Sequence, residues 1–187
     1  MATSSRAQQR ERTRTALLEA TVRCLVQHGY AGTTTQRIQD EAGVSRGALL
    51  HHFRSKDELF VAAVQHIANS QLRAIRERLW LLDTSSPLVL AEAFREAMSG
   101  PHFLAGLELW MSARTDAELR RVLTSAERAL GAEIRALVED LVGDHDEEWR
   151  LHYETLLVML RGMALTSVLR EDRQWDDAML KWWAEKL

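Results

Sequence analysis

Residues 40–56 read Asp40-Glu41-Ala42-Gly43-Val44-Ser45-Arg46-Gly47-Ala48-Leu49-Leu50-His51-His52-Phe53-Arg54-Ser55-Lys56, and the fold is decided at Ala42-Gly43-Val44-Ser45. Upstream, Thr34 suits the N-cap of a short helix reaching Ala42, with Ile38 and Ala42 four apart on one face and Arg37 pointing elsewhere. Gly43 stops that helix, because glycine enters the left-handed backbone region without steric cost. Val44 can then plug the corner while Ser45 caps a second helix, about Arg46 to His52. Two short helices joined this tightly cross steeply, and that is the pattern of a helix-turn-helix. It lets the second helix enter a major groove while the first braces it across the backbone, so duplex DNA is the first partner to consider. Gly47 costs about 1 kcal/mol inside a helix relative to alanine, and close approach of the backbone to a phosphate or base edge would explain it.

The charge distribution agrees. The chain carries net −3 overall, yet residues 1–56 hold nine arginines and lysines against four acids, a net of +5 that leaves −8 for the remainder. Such asymmetry concentrates positive potential at one end, where phosphates would bind. A chain of 187 residues with 46% hydrophobic content can bury a real core. It has no apolar run of about 20 residues and no signal-peptide apolar core, so no membrane association is expected and the location expected is the cytoplasm. The single cysteine, Cys24, excludes a disulfide framework or cysteine-cluster metal site and reads as a small buried hydrophobe.

From about Arg10 to Ile67 the sequence resembles the DNA-binding domain of the tetracycline-repressor (TetR) family of bacterial regulators. The resemblance is carried by Leu17, Leu18, Ala20, Leu25, Gly29-Tyr30, Thr33-Thr34, Ile38, Ala42-Gly43-Val44-Ser45, Gly47, Leu49, Phe53, Ser55-Lys56 and Leu59. Departures fall at Leu50, where the family usually has a tyrosine that touches phosphate, at Gln39 in place of alanine, and at Thr35 in place of valine. The resemblance implies an all-α fold of about nine helices: a three-helix DNA-binding domain followed by six helices for effector binding and dimerisation. Domains are accordingly expected at 1–9 (a basic arm), 10–67 and 68–187. Base reading is expected from Arg46, Ala48 and His51, with Gly47 allowing close approach, and phosphate anchoring from Thr34, Arg37, Ser45 and Lys56.

Beyond residue 55 the periodicity is helical throughout, without alternating strand runs. Ser55 with Glu58 opens a helix to about Leu82, and Asp83-Thr84-Ser85-Ser86 is a turn before a helix from Pro87 to about Ser99. Gly100-Pro101 starts another to about Arg114. Thr115 with Glu118 opens a seventh whose apolar face is Leu119, Leu123, Ala126, Leu130, Ile134, Leu137 and Leu141, ended by Gly143. An eighth runs from about Asp146 to Arg170 and a ninth from about Gln174 to Lys186. The last two carry Trp149, Tyr153, Leu156, Leu160, Met163, Trp175, Met179 and Trp182, an apolar load expected to pair with a second copy. Gly162 would permit a close helix crossing. Pairing also fits DNA reading, since two recognition helices on a twofold axis read a palindrome.

An effector region is expected among Trp80, Phe94, Met98, Phe103, Leu107, Trp110, Met111, Met159 and Met163, aromatic and methionine side chains that adapt around a largely apolar ligand. Glu108, Arg114, Tyr153 and Arg161 are polar residues close to those stripes. A ligand near Trp80 would tilt the fourth helix and move the recognition helices off the spacing DNA requires. Catalysis is not expected. No Glu-x-x-His pair, nucleophile elbow, phosphate loop or dinucleotide fingerprint occurs, adjacent His51 and His52 point about 100° apart, and Glu148 with His152 is isolated. Neither metal nor cofactor is expected. The reading is a homodimeric, ligand-responsive transcriptional repressor; the alternative is a helical scaffold or adaptor that does not bind DNA.

Overall fold

The computed structural model describes residues 2–80, 86–142, 147–169 and 174–186. Among them are nine α-helices, one 3-10 turn and no strand. The helices are α1 (Ala2–Gly32), α2 (Thr35–Ala42), α3 (Arg46–His52), α4 (Lys56–Trp80), α5 (Pro87–Ala97), α6 (Pro101–Ser112), α7 (Ala117–Val142), α8 (Glu147–Thr166) and α9 (Gln174–Ala184). No described helix is long and apolar enough to cross a membrane.

Local sequence explains most of the boundaries. Pro87 occupies the first turn of α5, where its missing N–H would have no helical partner. The cap of α7 is Asp116 rather than the expected Thr115: its Oδ1 accepts the Leu119 N–H at 2.9 Å, and Glu118 turns outward to Arg121. Aspartate wins because a carboxylate also complements the positive end of the helix dipole. Residues 2–9, expected as an arm, lie within α1. That helix is interrupted at Gly29, whose φ of 68° is left-handed, so Gly29-Tyr30 is a bend rather than a continuous last turn. The expected turn at Asp83-Thr84-Ser85, the Gly143 stop and the expected helix start at Asp146 lie outside the described residues, as do Leu82 and Arg170.

The chain divides into two compact units, the first break falling after Ala68, one residue past the expected cut, but with a later segment joining the first unit. The first comprises Met1–Ala68 with Ala105–Ala126, and the second Asn69–Leu104 with Glu127–Leu187. The first therefore owns the second half of α6 and the start of α7. Its helix-turn-helix core is Leu17, Leu18, Ala20 and Cys24 of α1 packed with Ile38, Leu49, Phe53, Leu59 and Ala63. Around Val22, Leu25, Phe60 and Val64, a neighbouring cluster takes in Leu109, Ala113, Leu119 and Leu123. In the second unit the buried set includes Phe94 of α5, Leu156 and Leu160 of α8, and Leu180 and Trp183 of α9. The Trp183 indole N–H donates to the His152 carbonyl at 3.1 Å, tying α9 to α8.

Candidate nucleic-acid interface

The turn is built as its residue types dictate. Thr34 accepts the Arg37 N–H on its hydroxyl at 3.3 Å, and Ser45 accepts the Ala48 N–H at 3.2 Å, so both short helices start on side-chain caps. Between them Gly43 sits at φ 65°, ψ 33°, and its N–H reaches back to Asp40 O at 3.3 Å. Val44, partly buried, packs against the core beneath. Ile38 is fully enclosed, and Leu49 and Phe53 are each 2% exposed. Each such side chain contributes about 1.5 to 3 kcal/mol by leaving water, which holds α3 with one face down.

At 100° per residue, anchoring Leu49 inward turns Gly47 and His51 outward and Leu50 to the flank, while Arg46, about 60° from Leu49, stands at the first position of the helix. All four are exposed. Arg46 has no ion-pair partner among the described residues, and a methyl group on Gly47 would meet only Ser45 Oγ at 3.9 Å. Nothing among the described residues thus requires glycine at 47. Ala48 is half-buried, at the edge of this face.

The anchoring residues divide. Thr34 and Ser45 are exposed at the helix starts, their hydroxyl oxygens occupied as caps while their hydrogens remain to donate. Arg37 Nη1 donates to Gly32 O at 2.6 Å, which directs this guanidinium toward the end of α1. Lys56 lies over the rings of Tyr30 and Phe60, its Nζ 5.7 and 5.1 Å from their centroids, a cation–π placement at the aromatic corner below α4. Arg23 is paired with Glu41 at 2.5 Å. His52, half-buried, has its pKa held below the usual value by burial first, then by His51, Arg10 and Arg14.

Two residues named in the sequence only through the family resemblance have contacts or exposure that it did not indicate. Leu50 is 47% exposed on the flank of α3, an apolar side chain among polar ones. Tyr30 is a junction: its N–H donates to Glu108 at 2.7 Å, its hydroxyl to Asp116 at 3.2 Å, and its ring meets Phe60 edge-on. Glu108 is therefore committed to the bend in α1. The pairing spans 78 residues, and no local pattern announces it.

The residues of the expected effector set are divided between the two units. Phe94, Met98, Phe103 and Met163 are buried in the second unit and Met159 half-buried there, but Trp80 is 85% exposed. Leu107, Trp110 and Met111 belong to the first unit, where Trp110 packs on the cluster around Leu109. Helical period gave the apolar faces of α6 without saying which core they join.

The expected pairing stripe needs a similar correction. Tyr153, Leu156, Leu160 and Met163 face into their own unit, and Trp149 stacks on Tyr153 at 5.7 Å. Met179 is half-buried, and only Trp175 and Trp182 of that set are exposed. The unsatisfied face of α8 is instead Leu151, Val158 and Leu165, with Gly162 on the same side and nothing within 4 Å of where its Cβ would stand. Both stripes repeat at helical spacing, and the wider one went to the core. Burial also drives the Tyr153 phenol pKa upward, and its hydroxyl lacks a partner among the described residues.

An all-helical chain with a capped helix-turn-helix on a basic N-terminal unit is the class of protein these features define. Residues 17–63 match the N-terminal family model of the tetR family of bacterial regulatory proteins. It is similar to the HTH-type transcriptional repressor AcnR of Corynebacterium efficiens, 31% identical over 126 residues, covering 65% of this chain and 62% of that one. It is similar also to the HTH-type transcriptional regulator BetI of Paraburkholderia xenovorans, 33% identical over 118 residues and 60% of each. The chain thus spans less than two thirds of the length of these relatives. A solved transcriptional regulator from Pseudomonas aeruginosa aligns with 94% of this chain and 90% of its own, at 26% identity and a TM-score of 0.65.

Proposed function

We propose that the protein is a homodimeric transcriptional repressor that grips a palindromic operator through α3 and is released by a small effector held in the helical second unit. The observation that carries the reading is the exposed surface of α3: Arg46, Gly47, Leu50 and His51, on a unit whose first 56 residues carry net +5. Arg46 can grip a guanine bidentately, His51 and Ala48 meet neighbouring base edges, and Leu50 supplies an apolar contact suited to a thymine methyl. Ser45 and Thr34 donate their hydroxyl hydrogens to phosphates, assisted by backbone N–H groups at the helix starts. Arg37 and Lys56 add positive potential near them.

One α3 reads too few base pairs for specificity, so a second copy is needed about 34 Å away. The exposed strip Leu151, Val158 and Leu165, flanked by Trp175 and Trp182, favours its pairing through α8 and α9, with Gly162 allowing close approach. An effector releases DNA only to the extent that it binds the non-reading form more tightly than the reading form.

The test is a mobility-shift titration against the protein's own promoter region. Arg46→Ala should lose about 1 to 3 kcal/mol of affinity, concentrated at one base position. Undiminished affinity and specificity would remove α3 from the interface.

A further inference from the structure

The second unit encloses a cavity of about 110 Å³ among α5, α6, α8 and α9. One wall is apolar: Met98, Leu104, Leu160 and Met163. Asp176, in the first turn of α9, also lines the cavity; this residue is only 8% exposed, and its Oδ1 has no hydrogen-bond partner among the described residues. A carboxylate withdrawn from water without a partner is costly unless something compensates it. Arg95 also lines the cavity, but its Nη1 is given to Asp177 at 2.5 Å and none of its hydrogens reaches Asp176 Oδ1. Among the described residues, two carboxylates, Asp176 and Asp177, lie beside one guanidinium, and Asp176 is the buried one.

The remaining polar groups of the cavity are Ser99 and Ser167. Each has already spent its hydroxyl hydrogen on a backbone carbonyl, Ser99 on Glu96 O at 2.8 Å and Ser167 on Ala164 O at 2.8 Å. What they offer a guest is lone pairs. Asp176 Oδ1 and the two Oγ atoms make three acceptors, one of them anionic. An –NH₃⁺ group has three donors and no acceptor, and a neutral alcohol has one donor. Both serines are exposed, so entry is from their side. Size narrows the choice further, since an apolar cavity of roughly 150 Å³ accommodates benzene.

We propose that this cavity binds a short primary alkylammonium ion, its nitrogen on Asp176, Ser99 and Ser167 and its hydrocarbon tail against the methionine and leucine wall. As the identity of the effector, the proposal rests on the ligand-released repressor described above; as a binding site, it stands alone.

The probe is n-butylammonium chloride, titrated calorimetrically into the full-length protein at constant ionic strength, with 1-butanol as the neutral analogue of equal length. Butylammonium should bind and butanol should not. Asp176→Asn should weaken butylammonium about ten- to hundredfold, the loss of a charge-assisted hydrogen bond. The same variant should raise the thermal midpoint of the free protein, since it removes a buried carboxylate whose Oδ1 has no hydrogen-bond partner among the described residues, and this separates lost binding from lost folding. Ser99→Ala with Ser167→Ala, which leaves Asp176 in place, should also weaken the amine. Equal binding of butanol, or undiminished binding by Asp176→Asn, overturns the site. A mobility shift run in parallel separates the two readings. Salt-sensitive DNA binding with no amine binding sinks the site and leaves the regulator, whereas amine binding without DNA release keeps the site and sinks its role as effector pocket.

Discussion

Gly47 and His52 sit five residues apart on α3 and its end, and each shows how one side chain, or its absence, can be tested. Gly47 has open space where a Cβ would lie. Gly47→Ala should therefore stabilise the free protein by up to about 1 kcal/mol, since helix propensity is the only term that changes. If the bare backbone is needed against DNA, the same substitution should weaken operator binding. Urea denaturation and mobility shift together check this, and a variant both more stable and equally tight on DNA would show that the glycine has no role at the duplex. His52 is held below its ordinary pKa by burial and by neighbouring cations. In the unfolded chain its imidazole takes a proton near pH 6.5, whereas in the fold it does so only at lower pH. The unfolded state thus binds more protons in that window, and the stabilisation present above about pH 6.5 is lost as pH falls through it. His52→Gln should flatten this part of the acid slope, measured as the difference in urea midpoint between about pH 7.5 and about pH 5.5.

Helices α8 and α1 show how an element's role depends on what its faces meet. On α8, Tyr153, Leu156, Leu160 and Met163 are buried in the subunit, while Val158 and Leu165 are 66% and 48% exposed. Val158→Glu with Leu165→Glu should give folded monomers by sedimentation, with operator affinity reduced. Leu160→Glu should instead lose the fold by circular dichroism, because it places an uncompensated charge in the core. A dimer that survives the outward pair of glutamates would move pairing to another surface. On α1, the bend at Gly29 is fixed by Glu108, whose Oε1 would lie 3.1 Å from a Cβ placed there. With the Tyr30 N–H and hydroxyl both committed to Glu108 and Asp116, movement of α6 or the start of α7 is felt directly at the end of α1 within the same unit.

At the scale of the whole molecule, charge segregation is the governing feature. Net +5 in residues 1–56 against −8 elsewhere predicts binding to duplex that is strongly salt-dependent and confined to one end of the chain. Each phosphate neutralised should add about 0.9 to the slope of log affinity against log salt. Ser45→Ala, which removes one hydroxyl donor without a charge, should lower affinity across sequences while leaving that slope unchanged. A flat salt response in a fluorescence-anisotropy titration with the protein's promoter DNA would contradict the repressor reading at this level, whatever individual variants did.

The sequence by itself determined the helix-turn-helix to the residue. Gly43, Thr34 and Ser45 act through their own backbone and the three residues that follow, and α3 spans the residues that local chemistry indicated. It also determined the all-helical class, because a 3.6-residue period needs no knowledge of neighbours. What it left open was which face of each amphipathic helix turned inward, and toward which core. Trp110 joined the first unit, the Tyr153–Met163 stripe went inside, and Asp176 was closed off beside the α5 and α8 side chains. Those outcomes follow from packing between residues tens of positions apart. Periodicity fixes that a helix has an apolar face, and only the competition among all such faces for limited interior decides which remain for a partner.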